Sequence, residues 1–212
     1  LLTSEKTIAP DTIQDIRVAA AQGVEVVYCT GRALPELYEY FDVVPAMRYA
    51  VCTSGAVVYD RVEDRCMDAQ PVSREMAARL LAVAAEYDAM PHFLTRRESI
   101  VAASDVTHMA DFHMGIYQSM FERIARQTEN MAREVQVLDF IAKVNLYFRS
   151  PEDRQACYEK LRELPLAFAL PEHTTLEATA LGVTKASGLR LLAEHLHIPI
   201  AQTVGIGDSD ND

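Results

Sequence analysis

Cysteine is sparse in this chain and shows no pairing pattern. Cys29, Cys52, Cys66 and Cys157 are scattered, with no CxxC spacing, so no disulfide framework is legible and the four read as reduced, mostly buried thiols of a cytoplasmic protein. No apolar run approaches the ~20 residues that a membrane span needs. No basic segment followed by an apolar one marks a secretion signal. Positive charge is also in deficit. A net charge of −11 argues against a nucleic-acid backbone as partner, but not against a small phosphorylated ligand, because the charge of a site need not follow that of the whole molecule. Internal repeats and low-complexity tracts are absent.

What is present is an ordinary apolar half of the composition in 212 residues, enough for one sizeable domain or two small ones. The most informative stretch is the last, Thr203-Val204-Gly205-Ile206-Gly207-Asp208-Ser209-Asp210-Asn211-Asp212. Val204 and Ile206 fit the end of a buried parallel strand, and residues after such a strand lie at the carboxyl edge of an open α/β sheet, where ligands bind. Crowded carboxylates there call for a cation, and oxygen-only donors favour a hard one, Mg2+ or Ca2+. A solvated acidic tail is the plainer alternative. The Asp208-x-Asp210-x-Asp212 spacing also imitates an EF-hand loop, but that loop needs a helix before it.

Earlier in the chain, Pro10 to Gln22 has helical periodicity, with Pro10 and Asp11 as start and Gly23 as stop. Val24 to Cys29 reads as a central parallel strand. It runs into Thr30-Gly31-Arg32, with Pro35 opening a further helix; strand, small polar turn and helix start is a geometry that cradles phosphate on backbone N–H groups. Tyr49 to Thr53 and Val57 to Tyr59 are strands, and Cys66 to Ala69 closes a hairpin. Gln70-Pro71 marks a boundary, beyond which Ser73 caps a long helix. From His92 to about Leu170 short strands alternate with helices. Ala142 to Phe148 alternates as a half-exposed strand does, and the whole suggests an α+β insert. His92, Lys143, Asn145 and Tyr147 read as surface residues, with substrate recognition as the sharper alternative. Met109, Met114, Met120 and Met131 fill a core or line a pocket. His108, His113 and His173 show no metal-ligand spacing, and His195 and His197 complement a helix end. Lys185 opens a helix, where its charge opposes the macrodipole; it either faces solvent or faces an anion held at that helix mouth.

Thr30-Gly31-Arg32, the Gly182-Val183-Thr184-Lys185 segment and the GDxxND pattern at Gly207, Asp208, Asn211 and Asp212, in this order, resemble the haloacid dehalogenase superfamily and within it the Cof-like phosphatases. The resemblance extends over essentially the whole chain. It implies an α/β fold: a Rossmann-like parallel-sheet core from residues 1–71 and 179–212, with an α/β cap inserted at 72–178. It also implies hydrolysis of small phosphorylated metabolites through an aspartyl-phosphate. Thr30 and Gly31 would hold the phosphoryl group, Lys185 would neutralise it, Asp208 and Asp212 would ligate Mg2+, and Asn211 would help position phosphate. Two departures stand out. The family's DxDGT motif, with its nucleophile and acid/base Asp, is not in these residues and would lie just upstream of Leu1; the expectation is a fragment cut at both ends and inactive by itself. Ser54 stands where relatives carry Asn. The alternatives are a silent phosphometabolite-binding protein on the same fold and a phosphomannomutase-like phosphotransferase.

Overall fold

Residues 1–3 and 6–207 are described by the structure, a computed structural model. Two sheets organise them. In the first, helix α1 (Pro10–Ala21), with Pro10 at its first position, leads to strand β1 (Tyr28–Cys29). A 3-10 turn (Leu34–Leu37) runs into the short helix α2 (Tyr38–Phe41). Strands β2 (Tyr49–Cys52), β3 (Val57–Asp60) and β4 (Arg65–Asp68) complete a sheet of order β1-β2-β3-β4. Only β1 and β2 are parallel; β2-β3 and β3-β4 are antiparallel.

The middle of the chain builds the second sheet. Helix α3 (Arg74–Ala85) starts at Ser73, whose Oγ accepts from the Met76 N–H at 3.2 Å, satisfying one of the otherwise orphaned first-turn donors. There follow β5 (Met90–Leu94), β6 (Ser99–Ala102), α4 (Ala103–Val106), α5 (Gln118–Ile124), β7 (Arg126–Thr128), α6 (Met131–Val137), β8 (Lys143–Tyr147), α7 (Pro151–Leu161), β9 (Leu166–Ala169) and β10 (Thr175–Ala180). Their order is β7-β6-β5-β8-β10-β9, antiparallel except at β6-β7. Helix α8 (Lys185–His195) then returns to the first sheet, where Leu192 clusters with Tyr49, Val51 and Val58. The opposite side of that sheet, Ala50, Cys52, Val57 and Tyr59, clusters with Leu34, Phe41 and Met47, as the period of two along a strand requires.

Three expectations change. Val24 to Cys29 pairs only at Tyr28 and Cys29, opposite Ala50 and Val51, and Val24 is exposed. Val204 and Ile206 are in no strand and are 87% and 97% exposed. An apolar run becomes a strand only where a neighbour accepts its backbone hydrogen bonds, and among the described residues neither run has that neighbour along its length. The third change concerns β8, which is buried along its entire length. Its apolar face, Val144 and Leu146, packs with residues of α3, α6 and α7. Its polar face is covered as well: Tyr147 clusters with Val106, Met109 and Phe121, and Lys143 reaches the loops of the first sheet. The methionines fill this interior. Met109, Met114 and Met131 are buried, and Met120 lines a cavity.

Candidate functional site

Because β1 and β2 run parallel, Thr30 and Thr53, the residues directly following them, emerge at one carboxyl edge. Their turns are tied together. Thr53 N–H donates to the Arg32 carbonyl at 2.8 Å and Ser54 N–H to the Thr30 carbonyl at 3.1 Å. Within the Thr30 turn, Arg32 N–H donates to Thr30 Oγ1 at 3.2 Å. The Thr53–Gly55 turn is left-handed throughout, with φ of 55°, 56° and 96°. That is costly for a β-branched residue such as Thr53, and Thr53 Oγ1 is buried without a hydrogen-bond partner.

Helix α8 begins against this strained turn. Thr184 Oγ1 accepts from Ser187 N–H at 3.2 Å and Thr184 N–H donates to Ser187 Oγ at 2.8 Å, a reciprocal cap that fixes the helix start. Gly55 lies so close that a Cβ there would sit 1.9 Å from the Thr184 carbonyl oxygen and 2.9 Å from the Lys185 nitrogen. Thr30-Gly31 and Lys185, 154 residues apart in sequence by subtraction of Gly31 from Lys185, therefore flank one turn. Asp208, Asn211 and Asp212 lie outside the described residues. Among the described residues no three His, Cys, Asp or Glu gather into a metal-holding group.

The expectation of solvent-facing His92, Lys143, Asn145 and Tyr147 fails: all four are buried. Lys143 Nζ donates to the Gly31 carbonyl at 2.7 Å and to Ser54 Oγ at 3.2 Å, and pairs with Glu177 Oε1 at 2.9 Å. The Ser54 hydroxyl donates to Glu177 Oε2 at 2.9 Å. All three ammonium protons are thus directed, and the second sheet is clasped onto both turns of the first. Beside this clasp, His92 Nε2 bonds Ser99 Oγ at 2.5 Å and Nδ1 bonds the Tyr147 hydroxyl at 3.2 Å. Asn145 Nδ2 donates to the same hydroxyl at 3.0 Å, while Asn145 Oδ1 is buried without a partner.

Sequence reading passes over Glu177 and Glu36. The available signal was a lone carboxylate in an apolar segment, in Leu176-Glu177-Ala178 and in Leu34-Pro35-Glu36-Leu37. Burial pushes the Glu36 carboxyl up to about 7, against the pull of Arg32 and Lys143 and with a small push from Glu177. Burial also holds His92 down at about 3, with Lys143 adding to the effect. The two act oppositely on stability. Glu36 binds its proton more tightly when folded, so its contribution is full below about 4.5 and is lost as pH rises through about 7. His92 is depressed, so its contribution is present above about 6.5 and is lost as pH falls towards 3. Between these limits the slopes offset. Glu36→Gln is expected to stabilise the fold by about 2–3 kcal/mol at pH 8 and by little at pH 4.5. It should also uncover the His92 slope, so that the variant's stability rises with pH between about 4.5 and 6.5. Urea unfolding across this range checks both; equal gains at pH 4.5 and pH 8 would show that folding does not shift the titration of Glu36.

The sequence profile of the haloacid dehalogenase-like hydrolases matches residues 1–212. The chain belongs to this family. Phosphatase YwpJ of Bacillus subtilis is 23% identical over 234 aligned residues, which take in all of this chain and 81% of that protein. Among solved structures, a haloacid dehalogenase-like hydrolase from B. subtilis superposes with a TM-score of 0.82 at 19% identity, covering 100% of this chain and 81% of the other. Sugar phosphatase BT4131, of subclass IIB of the superfamily, gives 0.81 at 16% identity over 100% and 78%. The hydrolase therefore has the mixed α/β architecture of that family, with its Rossmann-like core. No described helix is long and apolar enough to cross a membrane. The histidines other than His92 stay peripheral: His108, His113, His173, His195 and His197 are exposed.

Proposed function

We propose that this hydrolase is a Mg-dependent phosphatase of small phosphorylated metabolites, such as sugar phosphates or phosphorylated cofactors, working in the cytoplasm through an aspartyl-phosphate. The observation that carries the reading is the meeting of the Thr30-Gly31 turn and the Lys185 end of α8 at the strained Thr53–Gly55 turn, on the carboxyl edge where α/β sheets bind ligands. Thr30 and Gly31 hold the phosphoryl group in this reading. The Thr30 oxygen accepts from Arg32 N–H, which leaves its O–H proton to donate to a phosphoryl oxygen. Lys185 supplies positive charge where the transferring group gathers negative charge. Asn211 positions the phosphate. Mg2+ is assigned to Asp208 and Asp212, whose hard oxygen donors suit it; when bound, it adds charge neutralisation at the phosphoryl oxygens. None of these residues is assigned as the nucleophile.

Residues 72–178 act in this proposal as a cap over a core made of 1–71 and 179–212. Closing such a lid excludes water and completes the site, and the Lys143 clasp is the contact that holds it shut.

Phosphate release by the intact protein, screened over sugar phosphates and phosphorylated cofactors with and without a chelator, tests the reading. Release that stops with chelator and falls at least about a hundredfold in Lys185→Met is expected. Release indifferent to both would overturn the mechanism.

A further inference from the structure

Between the 34–41 segment and α5 lies a cavity of about 330 Å3, within the range of small-ligand sites. It adjoins a second of about 190 Å3 with which it shares Glu39, Met120 and Arg123. Acidic residues outnumber basic ones in this chain by 31 to 20, yet the described lining of the larger cavity inverts that balance: among the described residues, Lys6, Arg32 and Arg123 line it against the one carboxylate of Glu39. Arg123 meets Glu39 at 3.7 Å. Arg32 has no ion pair among the described residues. Its guanidinium lies 5.8 Å from the ring centres of both Tyr40 and Tyr117, and its Nη1 is turned to the Met120 sulfur at 3.7 Å. Sulfur is a weak acceptor for a group with five donors, so most of the hydrogen-bonding capacity of Arg32 is unspent. Lys6 Nζ lies 5.9 Å from the Tyr117 ring centre and likewise has no ion pair among the described residues.

Arg32 is also the next residue after Gly31. Its backbone therefore belongs to the turn assigned to the phosphoryl group, while its side chain opens into the cavity. We propose that this cavity is a subsite for a second anionic group, a carboxylate or a further phosphate, carried on the organic part of the substrate. The inference rests on the phosphatase reading and narrows it: the preferred substrates are phosphomonoesters with two separated anionic ends rather than neutral sugar monophosphates. Arg32 forks onto the second anion, Lys6 and Arg123 add charge, and the two tyrosine rings wall the carbon chain between the ends.

The test, on the intact protein as for the phosphatase reading, compares 3-phosphoglycerate with glycerol 3-phosphate, which differ in the second anion. At least about a tenfold preference in kcat/KM for the former, carried by KM, is expected, with Arg32→Gln collapsing the ratio towards one. Arg123→Gln, at a side chain 61% exposed, should reduce the ratio in the same direction and keeps the test open if Arg32→Gln folds poorly. Equal hydrolysis of both esters by the unaltered protein would overturn the subsite and leave the phosphatase standing. Should neither ester be hydrolysed, calorimetric titration with succinate decides. Binding that survives Lys185→Met and disappears in Arg32→Gln supports the subsite, the phosphatase reading being decided by the wider ester screen; no binding to the unaltered protein overturns the subsite.

Discussion

Lys143→Met should destabilise the fold by about 3–5 kcal/mol, the usual consequence of removing one partner of a buried pair, and so take away a large part of the 5–15 kcal/mol typical of a domain. The side chain of Lys143 is 1% exposed and that of Glu177 12%. Methionine fills the volume of the lysine stem but leaves the Glu177 carboxylate without its cation and the Gly31 carbonyl without its donor. The unpaired carboxylate carries most of the expected loss, because its desolvation remains when its compensation has gone. Accordingly, Lys143→Met combined with Glu177→Leu should recover most of the stability, since the pair's mutual attraction and its desolvation then vanish together. Ser54 would lose both partners, yet its hydroxyl is neutral and only half-buried. Urea unfolding of the two single variants and the double variant gives the coupling directly. A Lys143→Met midpoint equal to that of the unaltered protein would mean that the clasp opens freely in solution and that the second sheet is not held by it.

The clasp also shows where the sequence stops being legible. Ser73, Pro10 and the Thr184-Lys185 start act within a few residues of themselves, so their helices can be read from local chemistry, as can the β3-β4 hairpin and the strands around Phe93, Ile100 and Phe168. Alternation along β8 is visible too. What cannot be read is the environment of its polar face, because nothing in Ala142 to Phe148 states that Gly31 and Ser54 will lie against Lys143. Register supplies the missing link: Glu177 lies opposite Asn145, which makes Lys143 its diagonal neighbour on the same face. The failures at Val24–Val27 and at Val204 and Ile206 have the converse cause, since hydrophobicity there is local but strand formation depends on a partner. Thr30, Gly31 and Lys185 are legible as the residue types that bind an anion at helix and turn mouths, whereas the left-handed Thr53 and Ser54 carry no signature of strain in their sequence. Asp208, Asn211 and Asp212, legible in the sequence as the GDxxND pattern, lie outside the described residues.

Gly55→Ala is expected to be comparably damaging, and for a reason that can be separated into two parts. One is conformational: at φ 96° a side chain is strained, which costs roughly 1–2 kcal/mol. The other is contact. The new methyl would sit 1.9 Å from the Thr184 carbonyl oxygen and 2.4 Å from its carbonyl carbon, and these are backbone atoms at a capped helix start that cannot swing aside as a side chain can. Nor is there slack behind them, since a Cβ on Gly188 would already be 2.7 Å from a Val51 methyl and 2.9 Å from the Gly55 carbonyl. Two glycines thus let α8 rest directly on the turn, and the methyl must push the helix, with Lys185 at its first position, away from Thr30-Gly31. A loss of about 3 kcal/mol or more follows from strain and overpacking together, along with weakened inorganic phosphate binding at temperatures where the variant is still folded. Gly182→Ala is the control, for Gly182 has φ 81° but nothing within 4 Å of an added Cβ. It should show the conformational part alone, and the difference between the two melting curves measures the close approach. If both variants melt together and bind phosphate alike, α8 yields to the methyl without cost, and the fixed separation of Lys185 from the Thr30 turn, on which the proposed chemistry depends, is lost with it.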